Sequence, residues 1–394
     1  MTVGALTGVK VLDLSRWIAG PHAALMLGDM GADVVKVESG SGDPSRLSPP
    51  QLEAESSYFL ALNRSKRGLA LNLRSQGGMI VLKRLIAEAD VLIENFRPGT
   101  MSKMGLEIDE LLAEHPGLIV VSISGYGQDG PRSQQGAFDS IAQAASGLHA
   151  MTGQAEGPPV KAGFYVADYS AALHATIGVL AALRARDETR LGQHVDIALV
   201  ESILSMSATL VPGYVGAGVE PTRVGNGSIH NAPVGVYECT NGYVQLSAST
   251  DALFEQLCSA MHIAYLLEDA RFASNAGRME HSEALDRILA EWTSTRTTSE
   301  VAAVLDSAGV PASPIKGIAE IMQDEQLNAR KYFVKQQHPV AGSVTLAGTP
   351  IRFSRTPSDT TRPAPTLGQH SEEVLQDWIG LSPDEAVALL ASEK

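Results

Sequence analysis

Over the first 125 residues, short β-branched runs alternate with stretches in which apolar residues recur every three or four positions. Residues 9–14 predict a strand. Residues 21–30 predict a helix, with Pro21 suited to its first turn, and residues 34–37 a second strand. Residues 76–89 predict a helix with Met79, Leu82, Leu85 and Ala89 on one face. Residues 91–93 and 118–123 predict further strands, with a helical stretch at 109–114 between them. This β-α-β-α order implies a mainly parallel, doubly wound sheet.

The pattern changes further along. Residues 40–55 are rich in Gly, Ser and Pro and predict a surface loop. Residues 168–185 predict a long helix whose apolar stripe is Leu173, Ile177, Leu180 and Leu183. Its alanines, with Gly178, would let a neighbour approach closely. Residues 195–210 predict a continuing apolar helix. A hairpin is expected at 236–239 and 243–247, around Asn241-Gly242, with helices up to about residue 306. A Pro-rich linker (356–365) and a helix at 371–377 end the pattern. The expected organisation is a large α/β domain beginning over 1–210, a smaller α+β domain over 225–330, and a return to the large domain over 331–394.

Composition fits a globular chain: 394 residues, 44% hydrophobic and 19% charged. The formal net charge of −14 disfavours nucleic acid and anionic lipid as partners. An anionic ligand would need a local basic patch. Two cysteines make neither a disulfide framework nor a zinc site. The N-terminus lacks the pattern of a signal peptide, and no apolar run approaches a membrane span. A cytoplasmic location is the expectation.

Gly125, Gly127 and Gly130 match a dinucleotide G-x-G-x-x-G, but Pro131-Arg132-Ser133 follows, where a pyrophosphate-binding helix should begin. No Walker A loop or nucleophile elbow occurs. Basic residues gather in two segments, LNRSKRG (Arg64, Lys66, Arg67) and ENFRPGTMSKMG (Arg97, Lys103). Each is either a solvated face or a phosphate cradle. Asp168 follows Phe164-Tyr165-Val166-Ala167 at a helix start. It is either an N-cap or a nucleophilic carboxylate.

The segments GVKVLDLSRWIAGPHAALMLGDMGADVVKVES, LNRSKRGLALNLRSQGG, VLIENFRPGTMSKMGL, SISGYGQDGP, FDSIAQAASGLHAMTG and RLGQHVDIALVESIL together resemble the class III CoA-transferases. The resemblance covers nearly the whole chain. It implies a Rossmann-like large domain, a small inserted domain and an interlocked homodimer. It implies acyl-CoA and carboxylic acid substrates, with no metal or other cofactor. The family's CoA contacts fall on Leu62, Asn63, Lys66, Asn95, Phe96, Arg97 and Lys103, and its nucleophilic aspartate on Asp168. Gly225 and Gly227 are similar in place to the family's glycine loop. Asp139 would support Asp168 or the loop geometry, and Arg16 is either a structural ion pair or the holder of a distal carboxylate, with His230 read as an ordinary loop residue. The GNGSIHNAPVGVY segment looks closer to succinyl-CoA:dicarboxylate members. The related α-methylacyl-CoA racemases carry a Gly-His-Asp motif; this chain has Gly136-Ala137-Phe138-Asp139, without the histidine.

Overall fold

The computed structural model describes residues 4–392, which divide into two compact units. The first comprises residues up to Leu148, Ala162–Pro212 and the chain from Glu325 onward. Its centre is a six-stranded sheet: β1 (Lys10–Asp13), β2 (Asp33–Glu38), β3 (Lys66–Ala70), β4 (Val91–Glu94), β5 (Ile119–Ser124) and β6 (His194–Ala198). The order is β3-β2-β1-β4-β5-β6, and every neighbouring pair is parallel. The chain winds outward from β1 and then crosses back to β4. This leaves a crevice at their carboxyl ends, where open α/β sheets bind ligands.

A parallel sheet must bury both faces, and alternate residues do so. Val11, Val34, Val91 and Val121 join a core with helices α1 (Ala19–Asp29), α2 (Val166–Thr189) and α3 (Leu199–Met206). Leu12, Val35, Leu92 and Val120 join a core on the other face, with the helices Gln76–Glu88 and Ser371–Ile379. The chain from Glu325 onward adds an antiparallel hairpin, Phe333–His338 with Gly342–Ala347, besides that last helix.

Four expectations change. Residues 66–70, part of a basic segment that the sequence places at a loop near a strand end, form buried β3. Residues 194–198 form edge strand β6, and the helix starts only at Leu199. In α2 most of the expected stripe faces outward, and of its four residues only Leu183 is buried. Ala167, Ala171, Ala172, Ala175 and Ala182 are buried, whereas Leu173 and Ile177 are 45% and 62% exposed. Small residues win the inner face because α1 packs directly against it. A Cβ on Gly178 would come within 2.7 Å of Val195 in β6. By length and mean hydropathy (1.4) this helix is apolar enough to cross a membrane, contrary to the sequence expectation; half of it is buried as a core helix.

The second unit comprises His149–Lys161 and Gly213–Asp324. Strands Val234–Cys239, Gly242–Ser247 and Ala312–Pro314 form an antiparallel sheet. Val244, Leu246, Phe254, Leu257, Leu289 and Leu305 make its core. Cys239 and Cys258 are free and buried there.

Candidate active site

The first turn of a helix carries N–H groups with no partner inside the helix. Tyr165, at the N-cap of α2, supplies no side-chain cap. The cap comes from elsewhere. Asp139, at the start of the helix Asp139–Ala145, accepts from Ala167 N at 2.8 Å and from Asp168 N at 3.4 Å, both through Oδ1. Asp168 is therefore no N-cap. It lies inside the first turn, and among the described residues its carboxylate accepts no hydrogen bond. Burial pushes its pKa up to about 7, with the nearby Asp139 charge adding to the effect. The helix dipole would favour the anion, but desolvation outweighs it. A desolvated carboxylate with uncommitted lone pairs is poised as a nucleophile.

Aromatic side chains frame this carboxylate. His22, in the first turn of α1, meets Tyr169 edge to face at 4.9 Å. Burial, with Arg64 and Lys66 nearby, lowers its pKa to about 4, so the ring is neutral at physiological pH. Tyr58 lies edge to face with Tyr165 at 6.1 Å. Burial and the charges around it, Asp168 among them, hold the Tyr58 hydroxyl in its protonated form. None of these four was singled out from sequence. Their signal was the density of aromatics in Tyr58-Phe59 and Phe164-Tyr165, which reads equally well as core.

At the crevice between β1 and β4, Asn95 fixes the backbone of Arg16. Arg16 N donates to Asn95 Oδ1 at 2.8 Å, and Asn95 Nδ2 donates to Arg16 O at 2.7 Å. The Arg16 guanidinium lies 5.6 Å from the centre of the Phe96 ring. Trp17, exposed beside it, adopts φ 67°, an unusual conformation for a bulky residue. Arg97 and Lys103 are exposed, and neither has an ion pair among the described residues. A Cβ on Gly136 would stand 3.0 Å from Arg97 Nη2. Arg16, Asn95, Phe96 and Arg97 thus meet along one loop pair.

The other expected segment is buried. Leu62, Asn63 and Lys66 are 3%, 0% and 0% exposed. Lys66 Nζ donates to Asp13 Oδ2, Pro21 O and Asn63 Oδ1, each at 2.8 Å. Arg64 is paired with Asp29, and Arg67 with Asp33, Glu373 and Asp377. Lys66 and Arg64 neutralise the buried Asp13 and Asp29, and the buried Arg67 side chain is taken up by three more exposed acids. What does open at this edge is a cleft of about 1050 Å³ beyond β2 and β3, lined by Gly40, Leu71, Asn72, Gly368, Ser371 and Gln376.

The glycine segments are local. Gly125, Gly127 and Gly130 sit in a loop where Gln128 N donates to Asp196 Oδ2 at 2.9 Å, and the next helix begins only at Asp139. No helix N-terminus meets the motif, so no dinucleotide site forms there. Gly225 and Gly227 lie in the second unit. Gly225 takes φ 63° and donates to Gly153 O at 2.9 Å, while Gly227 N closes a turn on Val224 O.

The model of CoA-transferase family III matches residues 6–371. Succinyl-CoA–D-citramalate CoA-transferase of Chloroflexus aurantiacus is 36% identical, covering 98% of this chain and 97% of the relative. Succinyl-CoA:mesaconate CoA-transferase of Haloarcula marismortui is 38% identical, covering 95% and 96%. The crystal structure of a CaiB/BaiF family protein from Brucella suis superposes with TM-score 0.86 at 34% identity over 100% of both chains. With the fold, the crevice and the sequence agreeing along the whole length, the chain belongs to CoA-transferase family III.

Proposed function

We propose that this enzyme moves coenzyme A from succinyl-CoA to a short dicarboxylic acid, with Asp168 as the covalent relay. The observation that carries this reading is the donor-free, desolvated carboxylate of Asp168 at the start of α2. The two named enzymes are a succinyl-CoA–D-citramalate and a succinyl-CoA:mesaconate CoA-transferase, which supports the choice of donor and acceptor class.

The relay runs in four exchanges. Asp168 attacks the thioester carbonyl and expels the CoA thiolate, leaving an aspartyl–succinyl anhydride. The thiolate attacks the aspartyl carbonyl, releases succinate and leaves an aspartyl-CoA thioester. The acceptor carboxylate then displaces the thiolate, giving a second anhydride. The thiolate finally takes the acceptor's acyl group and frees Asp168. No step consumes a proton, and each conserves an activated bond, so water must be excluded. The aromatic surroundings of Asp168 suit that need. The neutral Tyr58 hydroxyl is a donor for the developing oxyanion. Arg97 and Lys103 supply the local positive charge that a CoA phosphate requires in an acidic protein. Asn95 and Phe96 hold Arg16, whose fork suits the distal carboxylate. The nucleotide end would take the cleft at Leu71 and Asn72 rather than Lys66. The racemase reading needs a free acid–base pair, and here Asp139 has both oxygens engaged.

The active form in this reading is an interlocked homodimer, for which the exposed Leu173, Ile177 and Leu180 face of α2 is the support. The test of transfer is mass spectrometry of the protein with succinyl-CoA and a panel of carboxylates, beside Asp168→Ala. New acyl-CoA products that vanish in the variant are expected. An Asp168→Ala enzyme with full transfer activity would sink the mechanism.

A further inference from the structure

Asp139 and Gln143 stand one helical turn apart on the helix Asp139–Ala145 and share a face. Gln143 is fully buried, and its amide is spent completely. Its Nε2 donates to Asp139 Oδ2 at 2.5 Å and to Phe164 O at 3.3 Å, and its Oε1 accepts from Ala162 N at 2.9 Å. Asp139 has no cationic partner among the described residues. Its Oδ2 is held by Gln143, and its Oδ1 holds the first turn of α2 at Ala167 and Asp168. One buried amide therefore ties together the capping carboxylate, the turn leading into α2 and the backbone that carries the nucleophile.

We infer that Gln143 is a positioning residue for Asp168, acting through Asp139 and the turn at residues 162–164 without touching substrate. The inference rests on Asp168 being the nucleophile. The geometry requires a donor toward Asp139 and an acceptor toward Ala162 N. A carboxylic acid in place of the amide supplies both and gives up only the longer bond to Phe164 O. A carboxylate supplies no donor and sets a second charge against Asp139, where one proton must then be shared.

The experiment is steady-state transfer by Gln143→Leu and Gln143→Glu, each divided by wild type at the same pH across the range where all three are folded. Gln143→Leu is expected to lose kcat on the order of 10²-fold at every pH, the scale of a misplaced reacting group. Its KM for the CoA thioester stays near wild type. Gln143→Glu is expected to approach wild type at the acidic end and to fall progressively behind as pH rises and the introduced carboxyl ionises. A purely structural role predicts ratios that do not depend on pH. A flat ratio for Gln143→Glu, or full activity in Gln143→Leu, overturns the inference. Should Gln143→Leu fail to fold, the near-isosteric Gln143→Glu still decides it. A separate arm incubates wild type with acyl-CoA, traps with hydroxylamine and weighs the peptide containing Asp168. An unlabelled peptide removes the nucleophile and this inference with it; a labelled peptide with a flat ratio removes the inference alone.

Discussion

Burial holds Asp168 protonated in part at neutral pH, and the attack proposed for it needs the anion. Transfer should therefore rise with pH through about 7 and level off above it. Asp139→Asn removes the neighbouring charge and keeps an acceptor for the α2 turn, though it sets its amide against Gln143 Nε2 and so lowers the plateau rate; the acidic limb should move to lower pH, and an unmoved limb in the pH–rate profile would refute this. Stability runs the other way. The folded pKa of Asp168 lies above the ordinary aspartate range, so what the group contributes to stability is complete below about 4 and is lost as pH rises toward 7. Asp168→Asn should then be the more stable protein at about pH 8, by on the order of 1–3 kcal/mol after allowing for partial exposure. Urea titrations at acid and alkaline pH measure it, and an equal gap at both would count against it. Lys66 shows how a correct motif can mislead about a residue. The sequence exposes the cation and hides its partner Asp13, 53 positions away. Lys66→Ala should cost about 3–5 kcal/mol in urea unfolding, as expected when a buried pair is broken, while the folded variant keeps its CoA affinity in calorimetry.

At the level of elements, strands were legible where apolar residues dominate a short run and illegible where charge opens it. β1, β4 and β5 carry short, mostly apolar runs, and β2 is legible although the buried Lys36 interrupts its valines. β3 reads as a charged loop because its buried cations are balanced by acids on other elements. β6, at the edge, reads as part of the helix that follows it. Period told where α2 lies but not which face turns inward, since alanine and leucine both count as apolar. The choice belongs to the distance between α1 and α2, which no local pattern encodes. The same holds for the site. Asp168 stood out in its motif, whereas Tyr58, Tyr169, His22 and Gln143 acquire meaning only from neighbours distant in sequence. Replacing a buried alanine of the inner face tests the packing argument. Ala175→Leu should overpack against α1 and cost about 1–3 kcal/mol, whereas Leu173→Ala on the outer face should change urea unfolding of the isolated subunit by less than about 0.5 kcal/mol. Equal costs would mean that the faces are assigned wrongly.

For the molecule as a whole, the outer face of α2 poses a problem that one chain leaves open. Leu173, Ile177 and Leu180 lie along it, with Leu204 and Met206 exposed on α3. A contiguous apolar surface of this kind marks an interaction site in a soluble protein. A chain with net charge −14 repels its own copies at long range, so association has to be driven by apolar burial. A second copy meets the requirement, because the same stripe on each subunit is self-complementary under twofold symmetry. Ile177→Asp places a charge in the middle of the stripe, where a dimer would bury it unpaired. Sedimentation velocity should then give a dimer for wild type and a shift toward monomer for the variant, with wild-type association persisting at high salt because charge does not drive it. A wild type that sediments as a monomer would dismiss the homodimer. A variant that stays dimeric would move the interface away from α2 and leave the exposed stripe for another partner.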